Sequence, residues 1–205
     1  MEEDKDINWS TQLEDIVAQE GEKCRGLAWI HQRAETIASK KNNYIQIPVI
    51  VLSTLCGTAS VGSASLFGGS NVAPTVIGLI SIGVGVLNTL GNFFAYAKKS
   101  ESHRIAYLNY SKLFTQINVE LSLPRSERSS AQMVLKLLRD TMERLAETTP
   151  PVPHEIIDEF NKKFPNYKEE KISIPAECNG LSKIIVYREE VHVDTPSRVK
   201  VSLIK

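Results

Sequence analysis

The chain has 205 residues, with 24 Lys or Arg against 24 Asp or Glu, and it carries three cysteines. A balanced formal charge offers no electrostatic footprint for a nucleic acid, and Cys24, Cys56 and Cys178 have neither metal nor redox spacing. The balance conceals strong segregation: residues 1–22 hold eight acidic side chains and only Lys5, whereas the 56 residues 42–97 hold no Asp, Glu, Lys or Arg at all.

Taken in chain order, Ser10 or Thr11 can cap a helix running to about Lys41, with Leu13, Ile16, Val17, Leu27, Ile30, Ala34 and Ile37 on one broken apolar stripe. It leads directly into the charge-free run. That run is too long for one membrane crossing and suited to two, because a hydrocarbon core of about 30 Å takes about 20 apolar helical residues. Gly68, Gly69, Ser70 and Asn71 mark the break, with Ser70 or Asn71 as a cap and Pro74 in the first turn of the second helix. The expected spans are about 44–67 and 74–97, each about 36 Å long at 1.5 Å per residue. The short turn makes them antiparallel neighbours. A buried helix pair in a soluble all-α core is the weaker alternative, since such helices rarely stay uncharged for so long. The polar residues before the run exclude a cleaved signal peptide. Pro48 lies in the first turn or two of the first span, where a kink is expected.

The flanks orient the hairpin. Residues 23–41 carry five basic side chains against Glu35, residues 98–117 carry four against Glu101, and the turn carries none. Basic flanks stay cytoplasmic, so both termini are expected in the cytoplasm. Tyr44, Phe93, Phe94 and Tyr96 stand at the level of an interfacial aromatic belt.

The second span is expected to continue past Ala97, since Tyr107, Tyr110, Phe114, Ile117 and Leu121 recur at helical spacing until Pro124. A further helix is expected from about Ser126 to Thr148, bearing Val134, Leu137, Leu138, Met142 and Leu145, with Glu127 in its first turn. Thr148, Thr149, Pro150, Pro151, Val152 and Pro153 read as a stiff linker. A short helix from His154 to about Phe164 follows, then β-branched alternation in residues 183–187 and 198–204. The expected fold class is mainly α: a two-span transmembrane helical hairpin with long cytoplasmic helical extensions and a short β-prone or disordered C-terminal tail. Residues 1–149 would form the membrane domain with its cytoplasmic bundle, and residues 150–205 the tail.

Two stripes within the spans carry the candidate site. Ser53, Gly57, Ser60 and Ala64 repeat at i, i+4, i+7 and i+11, and Ser81, Gly85, Asn88 and Asn92 repeat at the same spacing. Helices in lipid associate through close contact and interhelical hydrogen bonds, so the bland reading is that the stripes glue the hairpin to itself or to a neighbour. The sharper reading is a pore in which Ser81, Asn88 and Asn92 face water. Two spans per copy then require several copies, and the absence of charged residues in the spans argues against a proton pump or coupled transporter.

Lys40, Lys41, Asn42, Asn43 and Tyr44 closing a cytoplasmic helix, Pro48 to Thr54 opening a span, a short turn, a Gly-rich second span and a following helix with His103, Tyr107 and Tyr110 together resemble the SLATT family. The resemblance covers about residues 10–147. It implies a two-span effector domain of nucleotide-signalling conflict systems that forms pores or perturbs membranes when triggered, with no catalytic residue to carry over. The tail lies outside the pattern, and the chain has no evident nucleotide-sensing domain.

Enzyme readings fail on the residues. His31, His103, His154 and His192 are scattered and read as surface groups; His31 and Glu35 share a face at i, i+4 but lack a third ligand. No phosphate-loop or nucleophile-elbow motif is present. The expectation is therefore no catalysis, no cofactor and no metal. The expected partners are the lipid bilayer, further copies of the chain and a protein recruited through residues 150–205; a membrane-anchored scaffold is the alternative function.

Overall fold

A computed structural model describes residues 7–66, 72–165, 172–179 and the single positions 184 and 186. The molecule is mainly helical and the described residues contain no strand: α1 is Thr11–Leu66, α2 Val72–Phe94, α3 Tyr96–Ser122, α4 Ala131–Thr148, α5 His154–Lys163 and α6 Ala176–Asn179. The expected turn at 68–71 and the β-prone stretches 183–187 and 198–204 lie outside the described residues, apart from Ile184 and Val186.

α1 is one continuous helix of 56 residues, about 84 Å at 1.5 Å per residue. Ser10 caps it, its Oγ accepting from the Leu13 N–H at 3.2 Å. Pro48 does not interrupt it, although its ring nitrogen cannot donate to the Tyr44 carbonyl. α2 and α3 are nearly continuous, separated by Ala95 alone in a left-handed conformation at φ 50°, ψ 40°. The Ala95 N–H still donates to Gly91 O at 3.1 Å, and Ala95 O accepts from Lys99 N–H at 3.0 Å. The hydrogen-bond ladder thus runs on through a left-handed alanine near the end of the charge-free run, a conformation that costs of order 1 kcal/mol.

α1 runs antiparallel to α2 and α3 over its whole length. Glu14 pairs with Arg125, Gly21 abuts Ile117, His31 meets His103, Glu35 meets Ser100 and Ile45 meets Gly91. The charged end holds a packed bundle. Val17, Cys24, Leu27 and Ala28 of α1 interlock with Ala106, Tyr110, Leu113 and Ile117 of α3 and with Leu138 and Leu145 of α4. A second cluster joins Ile30 and Ala34 to Ile156 and Phe160 of α5 and to Ile174. Residues 154–165 and 172–179 therefore dock on α1: Arg33 Nε bonds Glu159 Oε2 at 2.8 Å, Ser173 N–H bonds Glu22 Oε2 at 2.6 Å, and Trp29 meets the Phe160 and Phe164 rings edge-on. Gly26 is required here, because a Cβ at that position would lie 2.7 Å from Pro175 Cδ.

The start of α4 corrects the expectation of a helix from Ser126. Residues 125–127 form a separate 3₁₀ turn that contains Glu127, and α4 begins at Ala131 with Ser130 as its cap, accepting from Met133 N–H at 3.3 Å. Arg128 determines the difference. It holds Glu14 and donates from Nε to Leu123 O and from Nη2 to Leu121 O, spending its donors on the end of α3 and fixing the intervening loop. Arg125 grips the same carboxylate with two nitrogens, each at 2.7 Å. These hydrogen bonds, Arg125 first and then Arg128, lower Glu14 from the ordinary carboxylate range to about 2.

The apolar ends differ in kind from the bundle. α2 has no buried residue, and Ile47, Ile50, Val51, Leu55 and Val61 of α1 stand half exposed or more. The most apolar 18-residue windows of the two long helical runs are only 6 % and 0 % buried. They are long and apolar enough to cross a membrane, and they are not the buried core of the molecule.

The bundle core generates the first prediction. Leu145→Ala empties a fully buried α4 site between α1 and α3 and should cost about 3 kcal/mol of bundle stability, read as a lowered denaturant midpoint; a loss below about 1 kcal/mol would contradict this packing.

Candidate functional site

Six of the seven candidate residues surround one cavity. Ser53, Gly57 and Ser60 of α1 face Ser81, Gly85 and Asn88 of α2 across an open groove of about 510 Å³, whose remaining walls include Val49, Cys56, Ile77 and Val84. Asn92 does not line the groove; it stands exposed one turn nearer to Ala95. The stripes bring the two helices into register without closing the space between them. A Cβ added at Gly57 or Gly85 would meet nothing within 4 Å. Within one copy of the chain these glycines leave volume between the helices. Gly91 makes the close contact instead, where an added Cβ would lie 3.1 Å from Ile45 Cγ2.

The groove's polarity is concentrated. Ser81 Oγ donates to Ile77 O at 2.8 Å, and Thr54, Thr58 and Thr89 each donate to the carbonyl four residues earlier at 2.9 Å. These hydroxyls are satisfied inside their own helices, as apolar surroundings demand. The Asn88 amide makes no hydrogen bond with the described residues and stands exposed on the groove wall. An amide offers two donors and an acceptor, so Asn88 is the strongest unsatisfied polar group facing this space.

A second polar feature lies where α1 crosses α3. His31 and His103 are buried at 1 % and 5 % exposure, correcting the expectation of surface histidines. Their Nδ1 atoms are 2.9 Å apart, with ring centroids at 5.2 Å and planes inclined by 30°. That edge-to-edge arrangement is an N–H···N bond in which one neutral ring donates and the other accepts. Tyr110 stacks on His31 at 5.7 Å, with planes 8° apart. Burial pushes His31 down to about 4, with the neighbouring His103 adding to the shift; burial likewise lowers His103. Sequence reasoning missed the pairing because 72 residues separate the partners. The findable signal was the antiparallel register of the two long helices. Glu35 does not join them: its carboxylate contacts Ser100 and Thr36 hydroxyls. Among the described residues no group of three His, Cys, Asp or Glu could hold a metal ion.

The remaining chemistry is quiet. Burial raises Cys24 to about 12 and Cys178 to about 11, so neither thiol forms a nucleophilic thiolate near neutrality. Comparison with family models, curated proteins and solved structures yields no match.

The histidine pair generates the second prediction. Its folded-state pKa values lie below the unfolded value of about 6.5, so the unfolded chain takes up protons first as pH falls. The pair's stabilisation is complete above about pH 6.5 and is lost on descent towards about 4. The unfolding temperature should therefore drop between pH 7 and 4.5, and His31→Leu with His103→Leu should flatten that part of the profile. An unchanged slope in a folded double variant would contradict this account.

Proposed function

We propose that the chain is a two-span membrane protein that assembles into an oligomeric pore or membrane-perturbing effector of the SLATT type, with both termini cytoplasmic. The observation that carries the reading is the groove: an open cleft in which Ser53, Gly57, Ser60, Ser81 and Gly85 and the unsatisfied Asn88 amide stand beside Val49, Cys56, Ile77 and Val84, between helices that expose many Leu, Ile, Val and Phe side chains. In hydrocarbon an unpaired amide costs several kcal/mol. Water or a second copy of the chain would remove that cost. One copy walls the groove with only two helices, so a continuous path needs several copies arranged about it. Uncharged lining groups fit weak ion selectivity. The basic residues at 40, 41, 98 and 99 and the uncharged far end support the cytoplasmic placement of the termini.

Assembly and conduction separate this reading from a membrane-anchored scaffold, in which the cytoplasmic bundle and residues 150–205 recruit a partner. Purified protein in liposomes should release small dyes and ions as a defined oligomer. Asn88→Leu, or Gly57→Leu to fill the groove, should reduce release by about tenfold or more while the oligomer persists. Wild-type protein that assembles without leakage would favour the scaffold. Full release by both correctly assembled variants would remove the groove as the path.

A further inference from the structure

Lys40 and Lys41 end the charged half of α1, and Lys98 and Lys99 open that of α3. The antiparallel register brings the two pairs to within about one helical turn of each other. Lys41 Nζ lies 6.0 Å and Lys99 Nζ 5.8 Å from the centroid of the Tyr96 ring, so one aromatic side chain joins ammonium groups from both helices. All four lysines are exposed, and none forms an ion pair with the described residues. The carboxylates one turn further along are engaged elsewhere: Glu35 with Ser100 and Thr36, and Glu101 with Arg104 through both oxygens. Four exposed cations without a carboxylate partner among the described residues favour an external anion.

The same level contains a shallow, open recess on one face of α1. Lys40, Asn43, Tyr44, Ile47 and Pro48 line a cavity of about 300 Å³ on the flank of α1. Lys40, Tyr44 and Ile47 follow i, i+4, i+7 and share a helix face. The order along that face runs from ammonium, through amide and phenol, to two apolar side chains at the start of the charge-free run. Hydrogen-bond donors therefore precede an apolar wall in the sense of a phospholipid entering a bilayer from the cytoplasmic side.

We propose that this collar binds anionic phospholipid head groups, with the phosphodiester against Lys40, Asn43 and Tyr44, an acyl chain along Ile47 and Pro48, and Lys41, Lys98 and Lys99 supplying the preference for negative charge. The proposal rests on the membrane reading and is independent of conduction, since the collar and the Asn88 groove share no residue. Basic side chains beside a membrane surface attract anionic lipid; the recess adds a defined seat.

The test uses the full chain in detergent, titrated with short-chain phosphatidylglycerol, short-chain phosphatidylcholine or inorganic phosphate at matched ionic strength, with bound species counted by native mass spectrometry. Phosphatidylglycerol should bind about tenfold more tightly than phosphatidylcholine. Replacing all four lysines by Gln should bring the two within about twofold, replacing all four by Arg should keep the preference, and Lys40→Gln alone should reduce it by about threefold. Equal affinity for both lipids, or an unchanged preference after Gln replacement, overturns the proposal. Binding of inorganic phosphate as tight as that of phosphatidylglycerol assigns the collar to a free anion and overturns the lipid source. Binding of neither lipid overturns this proposal and leaves the membrane reading standing, since detergent already covers the apolar helices in this assay.

Discussion

The register of α1 against α2 and α3 is the constraint on which every other feature depends. Because α1 is one unbroken helix, a residue fixed at one end sets the pairing along its whole length. Glu14 with Arg125 and Arg128, Gly21 with Ile117, and His31 with His103 fix it within the bundle. The His pair is the most demanding of these, since slipping either helix would strand a buried ring nitrogen without its partner. The same register places Gly91 against Ile45, sets Ser53, Gly57 and Ser60 opposite Ser81, Gly85 and Asn88, and brings the two lysine pairs to within about one helical turn of each other.

Two packing regimes share this spine. In the bundle, apolar side chains from four helices and Ile174 interlock. Beyond the lysines, large apolar side chains such as Ile50, Leu55, Leu79 and Ile82 stand exposed, while Ser53, Ser60, Ser81 and Asn88 face the groove beside Val49, Ile77 and Val84. A water-soluble helix pair would present the reverse arrangement, because extended exposed apolar surface is unfavourable in water. An outward apolar face with an inward polar groove suits a lipid surround. Ala95 marks the transition: its backbone is left-handed, yet the helical hydrogen bonding continues on either side of it.

Much of this was legible in the sequence because it rests on local rules. The charge-free run, the Ser10 cap, the continuation past Ala97, the end at Pro124 and the helix from His154 follow from composition, capping and periodicity. Where sequence reasoning fell short, long-range contacts decided. The α4 boundary moved from Ser126 to Ala131 because Arg128 reaches Glu14, 114 residues away. The burial of His31 and His103 needed the pairing of two helices, and Gly26 found its purpose only when Pro175 folded back onto α1. The stripes at Ser53 and Ser81 were visible as spacing, but the open volume at Gly57 and Gly85 was not, since a glycine at helical spacing marks close contact and a lined groove equally well.

The most direct measurement of the central claim is the sidedness of single cysteines. In a background with Cys24, Cys56 and Cys178 replaced by Ser, Ala73→Cys reports the far end of α2 and Ser126→Cys reports the loop beyond α3. In sealed, oriented membranes a membrane-impermeant thiol reagent should label position 126 from the cytoplasmic side only and position 73 from the opposite side only. Labelling of both positions from one side would mean that the apolar halves of α1 and α2 do not cross the bilayer.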